Sequence, residues 1–409
     1  MSGRALGAAF MALWVLSAPA RAATLVVHAE TLHTVAGQPI SDGVVVVQDG
    51  KIVAVGPASR TPIPAGAERL EARVVVPGLV DAHTVVGLSG ILNQPQDQDQ
   101  LERSEPIQPE LRAIDAYNAR DELVAWIRSF GVTTIHAGHA PGALVSGQTL
   151  IAKTRGNTVE QAVIVPQAMV ATTFGDAAMN ADREKGKPPG TRSKAVAMLR
   201  QELVRAQEYA AKRANGDPAK RPERSLRLDA LAGVLAGDLP LLVTVEQHQD
   251  ILSVLRVARE FEIHVVLDGA AEAHLVLDEI RAAGVAVLPH PPMQRAYGEM
   301  ENATMELAAR LDAAKIPFAF QSGFEAYVPK TRVLLFEAAI GAANGLGPER
   351  ALAAATLDAA RILGIDKRVG SIEVGKDGDL ALYDGDPFEY TTHCIGVVIE
   401  GERFPGEAH

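Results

Sequence analysis

VVVPGLVDAHTVVGLSG, Val74 to Gly90, is the stretch on which the reading of this chain turns. Its opening valines favour extended backbone, because β-branched side chains pack well on a pleated surface. Pro77-Gly78 interrupts them, and a second apolar run carries Asp81, His83 and Val85. Residues two apart on a strand share a face, so these three stand in one row. A carboxylate and an imidazole at a strand end can do chemistry. Val85, third in the row, has no donor atom.

Working outward, residues 24–73 read as short β segments: TLVVHAE, then GVVVVQDGKIVAVG, then RLEARVVV running into the opening stretch. Asp49-Gly50 between two valine-rich runs is a hairpin signal. The chain's last forty residues read alike, as GSIEVGKDGDLALYDG and HCIGVVIEGERF. Two β-rich ends around a different middle predict one small sheet domain, residues 23–73 with 368–409. Between them, HVVLDG, AEAHLVLDEIRAAG, VAVLPH, MELAARLDAAK and IPFAFQSG alternate apolar runs with helix-length segments over His264 to Gly323. That alternation predicts βα units on a parallel sheet, in a domain spanning 74–367. Residues 193–213 carry Val196, Leu199, Leu203, Ala206 and Ala210 at helical spacing, between charged, Gly- and Pro-containing flanks.

Composition narrows the function classes. Of 409 residues only 4% are aromatic and the formal net charge is −11, which argues against a nucleic-acid platform or an anionic membrane surface. Residues 1–22 have the form of a cleavable signal peptide: Arg4, the apolar run Ala5 to Ala18, and Ala20-Arg21-Ala22. The run is shorter than the roughly 20 residues that span a bilayer. A periplasmic or secreted protein is therefore expected. Losing Arg4 and Arg21, with no acid in the segment, changes the net charge from −11 to −13. Cys394 is the single cysteine, so no internal disulfide is available and core packing must supply stability.

Several motifs in the right order resemble the amidohydrolase superfamily, especially its imidazolonepropionase-like and prolidase-like branch. VVPGLVDAH resembles that family's first barrel strand, and GVTTIHAGHAPGALVSGQTLIAK its GVTT segment and Gly-rich loop. PLLVTVEQHQDILSVLRVAREF and VVLDGAAEAH resemble strands five and six. ALAAATLDAARILGIDKRVGSIEVGKDGDLALYDGDP resembles the closing helix and the return to the sheet domain. The resemblance covers nearly the whole chain after residue 22, least over 178–232. It implies an α/β fold, a (β/α)8 TIM-like barrel with a small composite β-sandwich domain made from both ends. It also implies metal-assisted hydrolysis of carbon–nitrogen bonds, non-peptide or dipeptide, at the barrel mouth.

That chemistry implies an H-x-H pair on strand one, one histidine each on strands five and six, an aspartate on strand eight, and in some members a strand-four lysine. In this chain the positions fall at His83 with Val85, at Thr244, Gly269 and Gly323, and at Lys153. His83 and Lys153 are the remaining metal-site residues, too few for an ion that takes three or four convergent ligands. Glu246, His248, Asp268, Glu272, His290 and Gln321 lie near strand ends and are the candidates for a rebuilt mouth. His136 and His139 read as loop side chains. No G-x-S-x-G elbow or phosphate-binding loop is present, and no catalytic residue is assigned. The expectation is an amidohydrolase-fold protein with an eroded metal site, binding an amide- or peptide-like ligand or partnering an active relative. No cofactor is expected. The alternative is an active exported amidohydrolase or dipeptidase with one weakly held divalent ion such as zinc. No nucleic acid and no membrane is expected as a partner; a homo-oligomer or a complex with an active paralogue stays open.

Overall fold

A computed structural model describes residues 24–183, 188–327 and 329–406. The signal-like segment lies outside them. Four strands come first: β1 (Thr24–Leu32), β2 (Ile40–Gln48), β3 (Lys51–Pro57) and β4 (Glu68–Pro77). Asp49 and Gly50 both take positive φ, 49° and 78°, and close the β2–β3 hairpin with the twist that such a two-residue turn requires. β4 runs on to Pro77, past the expected boundary at 73, because Val74–Pro77 pair with a strand from the far end of the chain.

Nine strands follow: β5 (Leu79–Thr84), β6 (Val132–Ala137), β7 (Val145–Gln148), β8 (Leu150–Lys153), β9 (Val163–Val165), β10 (Val170–Thr173), β11 (Leu241–Val245), β12 (Val265–Gly269) and β13 (Ala286–Pro289). They form a five-stranded sheet, β13-β12-β11-β10-β7, and a four-stranded one, β5-β6-β8-β9. Residues 317–323 link the two. Val287 N donates to Pro317 O (2.9 Å) on one side, and Gly323 N donates to His83 O (3.0 Å) on the other. At the opposite side β7 continues into β8 through Thr149, and this stretch runs antiparallel to both β10 and β6. The fold is therefore α/β with mixed sheets, where eight parallel strands were expected.

The chain then returns through β14 (Leu380–Tyr383), β15 (Cys394–Ile399) and β16 (Glu402–Pro405). These complete one seven-stranded sheet, β16-β15-β14-β4-β1-β2-β3. Both chain ends do build it, as a single hydrogen-bonded sheet rather than two. The helix Arg192–Arg213 starts at Thr191, whose hydroxyl accepts from Lys194 N, and buries Ala195, Leu199, Leu203, Ala206 and Tyr209. Ala210, predicted on that face, is exposed, and Tyr209 takes the place, its hydroxyl donating to Asp229 (2.7 Å).

Strand alternation positions the site. Leu242, Val266, Leu288 and Ala319 are buried in one apolar cluster with Ala359 and Ala360 of the helix Leu357–Ile362. Two residues further along each strand, on the same face, stand Thr244, Asp268, His290 and Gln321. An apolar floor thus carries a polar layer at the C-terminal ends of the strands.

Candidate functional site

His83, Glu246, Asp268, His290 and Gln321 line one cleft with Thr244, Gly269 and Gly323, around a cavity of about 40 Å³. Five expected site residues therefore come together. Glu272 and His248 sit beside the cleft as a pair, with His248 Nδ1 2.6 Å from Glu272 Oε2 and Asn302 donating to Glu272 Oε1 (2.7 Å).

Lys153 is not among them. Its ammonium is buried against Asp379, with Asp377 at 3.1 Å, in the turn before β14. The reason is direction. β8 runs antiparallel to β6, with Leu150 opposite Ala137 and Lys153 opposite Thr134, so Lys153 points away from the mouth. The expected strand-four ligand is instead an ionic tie between the two sheet systems.

Asp268 is the centre of the cleft. Thr244 Oγ1 donates to its Oδ2 (2.5 Å) and Gln321 Nε2 to its Oδ1 (2.7 Å). His83 Nδ1 lies 3.3 Å from Oδ1, a charge contact whose N–H is not aimed at the oxygen, so the ring makes no hydrogen bond. Burial alone would raise the Asp268 carboxyl and lower the His83 imidazole. Their mutual attraction, with the Thr244 and Gln321 hydrogen bonds, outweighs it, holding Asp268 below and His83 above their ordinary values. The pairing therefore favours the charged form of each group over its neutral form.

Glu246 is the opposite case. Burial pushes its carboxyl up to about 8, against one hydrogen bond from Ala271 N (3.0 Å) and with Asp268 nearby, so it is protonated at neutral pH. Its carboxyl fills the place of a side chain at Gly269, where a Cβ would collide with Oε1, and Gly269 has φ +79°. Gly323 also has positive φ, +67°. Asp81, in the row below His83, accepts from Ser322 N (2.9 Å) and Ser322 Oγ, and burial pushes it up to about 6.

His136 is a strand residue of β6 rather than a loop residue. Its Nδ1 is 2.7 Å from Ala82 O, which only accepts, so Nδ1 carries the hydrogen and Thr149 Oγ1 donates to Nε2 (2.6 Å). Burial lowers it to about 3, which fixes it as neutral. His139, lowered to about 4 by burial, has no hydrogen-bond partner on either ring nitrogen among the described residues. Nothing in the sequence marks Thr244 and Ser322 as carboxylate partners, since hydroxyls at strand ends are common and their targets lie on other strands. Among the described residues no group of three or more His, Cys, Asp and Glu is arranged to hold a metal ion.

Residues 247–403 match the model of the amidohydrolase family. An amidohydrolase from Thermotoga maritima superposes with a TM-score of 0.88 at 26% identity, covering 93% of this chain and all of that one. These matches support the amidohydrolase superfamily for this chain. The imidazolonepropionase of Sphingopyxis alaskensis is 28% identical over 88% of this chain and 91% of its own length. Amidohydrolase tasK of Hapsidospora irregularis is 26% identical, and the chain spans only 39% of its length. A prolidase solved with N-methylphosphonate-L-proline shares the fold, with a TM-score of 0.58 and 16% identity. The chain has His83 on β5, and Thr244, Gly269 and Gly323 where the resemblance implies further ligands.

Proposed function

We propose that this chain takes a small amide- or peptide-like molecule at the mouth through protein side chains alone, and does not run the superfamily's metal-assisted hydrolysis. In this reading β5 to β13 with residues 317–323 form one closed (β/α)8-type barrel, with its mouth at the strand C-terminal ends. The observation that carries the proposal is that both oxygens of Asp268 are already engaged by protein donors. Thr244 donates to Oδ2 and Gln321 to Oδ1, and the His83 ring lies 3.3 Å from Oδ1. A cation drawn to Asp268 would meet the positive end of the Gln321 amide and an imidazole whose charged form Asp268 favours. Val85 offers no ligand, and Glu246 occupies the space a side chain at 269 would need. The residues present do not fit the ligand set of a divalent ion in this family.

Amide-type chemistry is supported by the relatives named imidazolonepropionase and by a cleft holding both donors and acceptors. The protein then acts as a ligand-binding or partner subunit, exported by its N-terminal segment. A second reading, hydrolysis of carbon–nitrogen bonds at a rebuilt mononuclear site, is favoured by the unpartnered ring nitrogens of His83 and His290. Metal analysis of the purified protein separates the two. Well under one equivalent of zinc, manganese or iron is expected. Near-stoichiometric metal, with an activity lost on chelation and restored by the ion, would replace the first reading with the second.

A further inference from the structure

Residues 291–303 leave the end of β13 and return to the helix Leu307–Ala313 without joining any sheet. Pro291 and Gln294 line the cleft together with His83, Glu246, Asp268 and Gln321, so this segment closes one side of it. Its backbone-to-backbone hydrogen bonds, among the described residues, all stay within it. Gln294 N donates to Pro291 O, Met300 N to Tyr297 O, Glu301 N to Gly298 O and Ala303 N to Met300 O. Little apolar burial holds it, since Met293 is 46% and Tyr297 65% exposed.

Side chains tie it down instead. Met293 N donates to Glu337 Oε2 (2.8 Å) and Asn302 Nδ2 to Glu272 Oε1 (2.7 Å). Glu299 makes the widest connection. Its Oε2 accepts from Asp176 N (2.6 Å), in the loop after β10, and its Oε1 from Arg192 Nη2 (2.8 Å). Gly175, at φ +90°, leaves the space that this carboxylate fills. Arg192 is itself held by both oxygens of Asp250 (2.8 and 3.0 Å) and by Gln247 Oε1 (2.7 Å), after β11. The guanidinium is thus a fixed post, and Glu299 the point at which the segment is fastened to it.

We propose that residues 291–303 are a strap shut over the mouth, with Glu299 on Arg192 and Asp176 as its latch, which opens to admit the ligand. The closed cavity of about 40 Å³ is far below the roughly 300–1,000 Å³ of a ligand pocket, so a peptide-like molecule enters only when a wall moves. Release of the strap breaks side-chain contacts and no strand ladder. Segments with few buried apolar contacts are the ones that open at low cost. The strap serves the mouth whether or not an ion is held there.

One test follows a thiol inside the cleft. The full-length chain carries C394A, so that the thiol of a Thr244→Cys variant is the only one. Fluorescein maleimide, a reagent far larger than the closed cavity, should label it roughly tenfold or more faster once Glu299→Ala is added. Glu299→Gln, with one acceptor oxygen for two donors, should fall between, and it reads the same way where Glu299→Ala does not fold. Equal labelling rates with and without the latch overturn the proposal. Hydrogen exchange read by mass spectrometry needs no reporter and stands even where Thr244→Cys fails to fold. Glu299→Ala should speed exchange of the amides of residues 293–303 roughly tenfold or more and leave those of β11, β12 and β13 unchanged. An unchanged strap overturns the proposal. So does equal acceleration in the three strands, which would make Glu299 a general stabiliser of the fold. Neither readout depends on metal content, so failure here is distinct from failure of the preceding reading.

Discussion

At the scale of single residues, the cleft turns on what burial does to two carboxyls. Glu246 has a folded value near 8 against an ordinary value of 4.5. Between these values the folded state keeps a proton that the unfolded chain has released, so stability falls as pH rises. The uncharged Glu246→Gln should remove that loss. Urea unfolding is expected to find the variant and the natural chain alike near pH 4.5. Above it the variant should gain up to about 1.4 kcal/mol per pH unit until about pH 8. A parallel pair of curves across that range would mean that Glu246 is ionised in the fold. Gly269→Ala places a Cβ at positive φ and against the Glu246 carboxyl. A cost of about 2–4 kcal/mol is expected from strain plus displacement of that carboxyl, read as a lower urea midpoint. For the same reason a histidine cannot simply be restored at 269.

Much of this scale is legible in the sequence. His83, Glu246, Asp268, His290 and Gln321 were recognisable because each stands at the end of an apolar run. What was not legible is which neighbour each meets, since Thr244, Ser322 and the Gln321 amide act across strands distant in sequence. Lys153 was misplaced for one physical reason. The Gly-rich stretch 138–149 reverses the chain, so β7 and β8 run against their neighbours, and strand periodicity says nothing about direction.

Between elements, the tie formed by β8 and the turn before β14 is an ion cluster out of water. Lys153 is 1% exposed and meets Asp377 and Asp379, while Lys51 and Arg368 meet Asp377 from the surface. Removing one partner of such a buried set leaves a charge without compensation, which costs far more than the set contributes as a whole. Lys153→Met is expected to lower stability by about 3–5 kcal/mol. Adding Asp379→Asn should recover part of that loss. A double variant no more stable than Lys153→Met alone would show that the two residues are not coupled.

Across the whole molecule, the seven-stranded sheet and the mouth strands are joined by covalent continuity and by buried contacts. Tyr383 Oη donates to Phe130 O (2.9 Å), and Gly78 N donates to Asp379 O (3.0 Å). Calorimetry of the chain should therefore show one cooperative transition. Two separated transitions would mean that the composite sheet melts as its own unit.

The ends of that sheet order also matter away from the molecule. A row of free backbone amides and carbonyls at a sheet rim is a template onto which another chain can polymerise. Here the rim strand β16 is only four residues long, exposes Glu402 and Arg403, and ends in Pro405, which has no N–H to give. The other rim, β3, opens with exposed Lys51 and closes with Pro57. Short length, charge and proline at both rims guard the chain against amyloid-type growth, a hazard that becomes acute if it is exported unfolded and has no disulfide to hold it.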